Sequence, residues 1–292
     1  MVCMATDGAM AVAGGNWQIF AHMVHAATTD LRLNTSVTSI RRQERDLLGK
    51  SGYILSSQHS DASDLDTAAA AATEVTADVF DTVILAAPYQ FSSVSLSPPL
   101  LGPEPQPYVR LHVTLFTSPH LLSSRAFNLP TETPVPQVVL TTLAPGEHPD
   151  SNADGVGKAG FWSISTLRTV DNPSTGEPEW LYKIFSPAAV DAGFLARILG
   201  VEADAEGESK VGLGLGKRDV SWSYRKVWYS YPYLYAREAF QEMRLHGDQQ
   251  GDGKGGLWYT AGIEGFISTM ETSALMGKNV ARLIVDGWEG KE

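Results

Sequence analysis

The stretch Val79-Phe80-Asp81-Thr82-Val83-Ile84-Leu85-Ala86-Ala87-Pro88 constrains the fold more than any other part of the sequence. It is a nearly continuous apolar run closed by proline, which cannot donate to a ladder, and such a run suits a strand covered on both faces. A strand of that kind needs a layer on either side, so the run predicts a layered α/β core. The 292 residues, 43% of them apolar, are material for one large domain or two intimate ones.

Other segments arrange themselves around that strand. Gly14-Gly15-Asn16 offers a turn and a cap, and Ile19, Phe20, Met23 and Val24 then fall at helical spacing, predicting a first helix over 16–28. Leu31, Leu33, Thr35 and Val37 alternate with polar residues as in a half-exposed strand, with Tyr53-Ile54-Leu55 as its neighbour. Residues 56–78 are almost all Ser, Asp, Ala, Thr and Gln and read as a mobile insertion. Then Val109, Leu111, Val113 and Leu115 alternate, and apolar runs recur at 138–140, 161–164, 180–185 and 222–229, predicting an antiparallel sheet. Ser186-Pro187 predicts the start of one helix that interrupts the sheet and ends at Gly200. The Gly-rich stretches 202–217 and 247–256 are expected to be surface loops. The chain closes with a strand over 257–262, a turn through Ile263-Glu264-Gly265, and a helix over 269–285. Ser268-Thr269-Met270-Glu271 reads as the capping box of that helix, with Met270, Ala274, Gly277, Ala281 and Ile284 on its close-packing face.

The formal net charge of −11 repels phosphate backbones and argues against nucleic acid as a partner. Cys3 is the single cysteine, so no internal disulfide can form, and no zinc-type Cys/His cluster occurs. No run reaches the roughly 18–20 apolar residues of a membrane span, and no export signal is expected in the chain as given. Gly49-Lys50-Ser51 lacks the upstream glycine of a phosphate loop, where Glu44 stands instead. Gly212-Leu213-Gly214-Leu215-Gly216 lacks the flanking strand and helix of a dinucleotide turn. His22 and His25 have no third ligand, and Asp248 and Asp252 have the wrong spacing for a calcium hand. No hydrolase elbow or His-Glu-x-x-His motif occurs. What survives is the terminal corner: Ala261-Gly262, the acidic Glu264, and a capped helix whose free N–H groups point at the turn. That corner either holds an anion or electron-rich carbonyl, or is an ordinary turn with Glu264 solvated.

Leu257-Trp258-Tyr259-Thr260-Ala261-Gly262-Ile263-Glu264, followed by Ser268-Thr269-Met270-Glu271-Thr272-Ser273-Ala274 and Gly277-Lys278-Asn279-Val280-Ala281, closely resembles the C-terminal signature of prenylcysteine oxidases. The stretches 14–20, 33–40 and 80–88 are similar to landmarks of the wider flavin amine-oxidase superfamily, and 108–117 and 228–233 also look like the prenylcysteine oxidase family.

The resemblance implies an α/β FAD-binding fold of the amine-oxidase type, with residues 1–107 and 247–292 on the FAD side and an antiparallel α+β substrate domain over 108–246. It implies FAD-dependent oxidation of a prenylcysteine thioether, farnesyl or geranylgeranyl, to cysteine and a prenyl aldehyde. Molecular oxygen would be the acceptor and hydrogen peroxide a product, in the degradation of prenylated proteins in a lysosome or vacuole. By similarity, Gly262 and Glu264 would lie near the pyrophosphate and ribityl chain, Met270 and Glu271 at the isoalloxazine carbonyl end, and Val37, Ala87 and Pro88 on the adenine side. No side chain is singled out as catalytic, because the cofactor carries the hard chemistry. Phe161, Trp162, Trp222, Tyr224, Trp228 and Tyr231 are the expected lining of an apolar prenyl tunnel. The family's leading strand, Gly-x-Gly-x-x-Gly turn and helix have no counterpart, so the chain is expected to be the C-terminal part of such an enzyme, with weakened FAD affinity. The other readings are a different FAD-dependent amine oxidase or desaturase, or a silent fragment that binds lipid or a partner.

Overall fold

The computed structural model describes residues 10–27, 29–43, 52–59, 75–97, 102–143, 145–146, 155–202, 213–234, 236, 238–246 and 255–290. Cys3, Gly49-Lys50-Ser51, Gly212, Asp248, Asp252 and residues 60–74 of the expected insertion lie outside these. The chain divides into two units, one of 1–105, 238–263 and 269–292, the other of 106–237 and 264–268.

In the first unit, helix α1 (Trp17–Ala26) forms where expected, but it buries none of its residues, and Ile19, Phe20 and Met23 are exposed. Leu31 and Leu33 are exposed as well, because Asn34, at φ +51°, turns the chain into β1 (Thr35–Gln43) later than the alternation predicts. β1 pairs antiparallel with β2 (Gly52–His59), Arg42 lying opposite Tyr53. β2 in turn pairs with β3 (Val75–Phe80). Both ends of the expected mobile insertion are therefore ladder. Ladder bonds need no apolar side chains, and the Ser57 and Thr76 hydroxyls meet at 2.9 Å across the pair.

Asp81 sits at a bend that divides the apolar run in two. β4 (Thr82–Leu85) leaves the sheet of β3, whose order is β3-β2-β1-β5 with β5 (Ser95–Ser97) parallel to β1. The expected single strand covered on both faces is thus corrected. Val83 is buried while Val79, Phe80 and Ile84 are exposed, and the break falls on aspartate, a poor strand residue.

The second unit is a five-stranded sheet built from β6 (Tyr108–Ser118), β7 (Val138–Leu140), β8 (Ser163–Asp171), β9 (Pro178–Ser186) and β10 (Trp222–Pro232). Its order is β10-β6-β9-β8-β7, and every pairing is antiparallel. Helix α2 (Ala192–Leu199) starts at Asp191 rather than Ser186: Asp191 Oδ1 accepts from Phe194 N at 2.7 Å, and Gly200 ends the helix at φ +68°. Ser186 stays in β9 and donates to Ala188 O, and a carboxylate cap also suits the positive helix end. α2 contributes Leu195, Ala196, Ile198 and Leu199 to a core with Phe116, Ile164, Tyr182 and Ile184, each large side chain stabilising by about 1.5–3 kcal/mol. Leu213, Leu215 and Val220 enter the same core. Residues 213–217, the described end of the stretch expected to be a surface loop, therefore plug this core, and 203–212 lie outside the described residues.

The chain returns to the first unit through β11 (Arg244–His246), β12 (Gly256–Tyr259) and α3 (Met270–Glu289). β12 lies between β11 and β4, parallel to β4 with Leu257 opposite Val83, and all four of its residues are buried. Gly255, at φ +81°, makes this approach possible, since a Cβ there would stand 2.4 Å from the Asp81 carbonyl oxygen. Gly255→Ala is expected to destabilise the unit by about 1–3 kcal/mol, read as a lower denaturation midpoint.

The capping box of α3 is Thr269 with Thr272, one residue beyond the predicted pair. Its packed side is Met276, Val280 and Ile284, which meet Trp258, Met243 and Ile263, whereas Met270, Ala274, Gly277 and Ala281 are exposed. Larger side chains bury more apolar area than Ala and Gly, which sets the helix rotation. No helix among the described residues is long and apolar enough to cross a membrane.

Candidate functional site

The nucleotide-side candidates of the first unit gather at strand ends. β4 and β12 are parallel neighbours, so their carboxyl ends release Ala86-Ala87-Pro88 and Thr260-Ala261-Gly262 side by side, and Thr260 N donates to Leu85 O at 3.1 Å. Ligands of open α/β sheets bind at such carboxyl ends. Ala87 is exposed, and Pro88 and Gly262 are half-buried. A Cβ on Gly262 would come 3.1 Å from that of Gln241, so the backbone passes close there. Val37 lies apart from these, on β1 beside a register shift, and packs against the cluster of Ile40, Tyr53, Val83 and Leu257.

Met270 and Glu271 are the first two residues of α3. Thr272 N is taken by Thr269 Oγ1 at 3.2 Å and Ser273 N by Thr269 O at 3.1 Å. The amides of Met270 and Glu271 precede the capped ones and have no acceptor among the described residues. Two free donors at the positive end of a 20-residue helix fit an electron-rich carbonyl or an anion. Those residues therefore fit the flavin expected on them.

Glu264 belongs to the second unit, where it is half-buried and accepts a hydrogen bond from Tyr108 Oη at 2.5 Å. The solvated corner is thereby corrected. A phenol donating to a carboxylate fixes the Glu264 rotamer and leaves its other oxygen for a further donor.

The aromatic candidates separate into those that share a surface and those that do not. Trp222, Tyr224 and Trp228 stand opposite Thr117, Leu115 and Leu111, so all three project from one face of the sheet. Simple alternation would send Tyr231 to the other face. A bulge between Tyr229 and Tyr231 sets two β10 residues against one of β6, and Tyr231 comes back opposite Val109, on the face of Trp228. Val113, Leu181 and Phe185 complete this surface from β6 and β9. The opposite face carries Phe116, Tyr182 and Ile184 into the core. Phe161, 5% exposed, lies in that core with its ring edge-to-face to Phe194, apart from the β10 face. Trp162 is half-buried just before β8, separated from β10 by β6 and β9.

Several groups escaped the sequence reading. Lys183 and Lys226 stand on the aromatic face, their ammonium groups 4.7 Å over Phe185 and 5.8 Å over Trp228. Two-residue spacing from Phe185 and Trp228 was the available signal. At the Trp222 end lies a cavity of about 370 Å³ lined by Thr117, Glu179, Lys217, Ser221 and the 171–175 turn. Buried Glu179 is held there by Asn172 Nδ2 at 2.7 Å and by Ser221 Oγ.

His112, half-buried on the opposite face, has its pKa lowered by burial and then by Arg110 and Arg225. A histidine kept neutral by the fold is protonated first in the unfolded chain, near pH 6.5. Its contribution is full above that pH and is lost as the pH falls towards the lowered native value. The melting temperature is expected to drop below about pH 6.5, and His112→Gln to flatten that slope.

Comparison with known proteins adds two findings. A family model described as prenylcysteine lyase matches residues 1–292. A farnesylcysteine lyase of Arabidopsis thaliana is 25% identical over 285 residues, which is 98% of this chain and 44% of the relative. The chain thus spans under half the length of that curated relative.

Proposed function

The chain belongs to the prenylcysteine lyase family, and from that premise we propose that it serves in FAD-dependent oxidative cleavage of prenylcysteine. The observation that carries this reading is the single aromatic face of β10, to which the bulge restores Tyr231 beside Trp228, Tyr224 and Trp222. An isoprenoid chain needs a long apolar surface, and rigid aromatic rings supply contact area with little ordering cost. When bound, FAD supplies a two-electron acceptor that oxygen regenerates with release of hydrogen peroxide. Loss of hydride from the prenyl carbon attached to sulfur, addition of water there and breakage of the carbon–sulfur bond give cysteine and a prenyl aldehyde.

The residues of this chain bind and orient. The amides of Met270 and Glu271 would hold the isoalloxazine carbonyl end, Gly262 would admit the ribityl and pyrophosphate part, and Glu264, held by Tyr108, would accept from cofactor hydroxyls. Val37, Ala87 and Pro88 serve the adenine side. The aromatic face takes one side of the prenyl chain out of water and holds it in place.

The test is oxygen consumption and peroxide release by the FAD-loaded enzyme with S-farnesylcysteine. Oxidation of a simple amine with S-farnesylcysteine untouched would overturn the thioether reading in favour of an amine oxidase.

A further inference from the structure

Lys226 and Lys183 place two ammonium groups on a face that β10, β6 and β9 otherwise build from aromatic and aliphatic side chains, with Thr117 and Glu179 at the Trp222 end and Ser163 and Ser165 following on β8. The register sets Lys226, Val113 and Phe185 in one cross-strand row, and Tyr224, Leu115 and Lys183 in the next. Lys183 Nζ reaches out of its own row to lie 4.7 Å over Phe185, in the row of Lys226, while Lys226 Nζ lies 5.8 Å over Trp228. Both side chains therefore lean the same way along the sheet, towards Tyr231. Neither lysine has an ion pair or hydrogen bond with any described residue.

That arrangement is unusual in a chain with 33 acidic and 22 basic residues. The one carboxylate that β6, β9 and β10 carry is Glu179, which lies beyond Leu181 and is engaged by Asn172 and Ser221. Aromatic faces repay a partly exposed ammonium only in small part, roughly 0.5–1 kcal/mol. An anion brought to this surface would complete both cations.

The ligand inference rests on the prenylcysteine reading above. Its substrate joins an isoprenoid chain to an amino acid whose α-carboxylate is the one anionic group it carries. We propose that Lys226 and Lys183 are the carboxylate anchor of the site, and that they set its specificity for the free acid. The isoprenoid lies on the aromatic rings flanking them. Because the lysines hold the amino-acid end, the anchor fixes the direction in which the thioether lies along β10. Esterified or decarboxylated prenyl thioethers are then poor ligands although their apolar part is unchanged.

Direct binding to the full chain, followed by titration calorimetry, tests this without turnover. The probes are S-farnesylcysteine, its methyl ester, and S-farnesylcysteamine, which keeps chain, sulfur and amine but lacks the carboxylate. The free acid is expected to bind about tenfold tighter than either analogue. Lys226→Met and Lys183→Met should each remove most of that advantage, leave S-farnesylcysteamine binding unchanged and keep the wild-type melting temperature. Lys226→Arg should retain the preference. Equal wild-type affinity for the acid and S-farnesylcysteamine, a comparison that needs no variant, would overturn the anchor while leaving the prenylcysteine reading intact. Binding of none of the three prenyl thioethers would overturn both.

Discussion

Replacing Tyr182 with alanine is expected to lower the stability of the second unit by about 3–5 kcal/mol. Tyr182 is fully buried, its ring stacks on Phe116 with centroids 5.1 Å apart, and its hydroxyl donates to His120 O at 2.9 Å. Alanine removes the ring from the centre of the core formed by the sheet and α2, and close-packed neighbours can collapse only partly into the space. Tyr182→Phe separates the two contributions, since it keeps the ring and strands the His120 carbonyl, for about 1–2 kcal/mol. Burial also pushes the Tyr182 phenol well above its ordinary value. The unfolded phenol ionises first, near pH 10, so this contribution is full below that pH and declines above it. Urea denaturation at pH 7 and at higher pH checks both points, and a loss under about 1 kcal/mol for Tyr182→Ala would contradict this core.

Trp228→Ala is expected to weaken binding of S-farnesylcysteine by roughly 30-fold or more, the effect of an anchor worth about 2 kcal/mol. Trp228 stands in the middle of the aromatic face, between Lys226 and the bulge. It is 48% exposed and no part of the core clusters, so the fold should tolerate its loss. The prediction separates binding from folding: calorimetric affinity should fall while the urea midpoint moves little. A variant that unfolds with the wild-type affinity retained would instead make Trp228 a structural residue.

Those two residues show what the sequence can and cannot convey. The strict two-residue period of Val109, Leu111, Val113 and Leu115 announced β6, and the aromatic density of 222–229 announced β10, because each strand repeats its pattern along its own length. Asp191 as the cap of α2 was hidden behind Ser186-Pro187, an equally good local signal that lost because Ser186 is needed at the end of the β9 ladder. The division at Asp81 was invisible for a related reason: hydropathy registers burial, and a single polar residue in an apolar run does not reveal that the two halves join different sheets. At the candidate site, Met270 and Glu271 came in through the resemblance, and the cap beside them is one residue later than the pair the sequence suggests, because Thr at both positions offers the same local signal as Ser and Glu. The core position of Phe161 was not legible, because in sequence an aromatic side chain in a core looks the same as one on a binding surface. The bulge near Tyr229 could not be read at all, since it is a relation between two strands.

The pairing of β4 with β12 also bears on how the protein is made. Leu85 and Thr260 bond to each other although 175 positions separate them, and the whole of the second unit's sheet is synthesised in between. At ordinary translation speeds of about 5–20 residues per second, Thr82–Leu85 waits roughly 10–30 s at the ribosome for its partner. During that wait Val83 and an unpaired strand edge stay exposed, while the later strands can already assemble from near neighbours. The parallel pair of β4 and β12 therefore closes only after every strand of the second unit has been made.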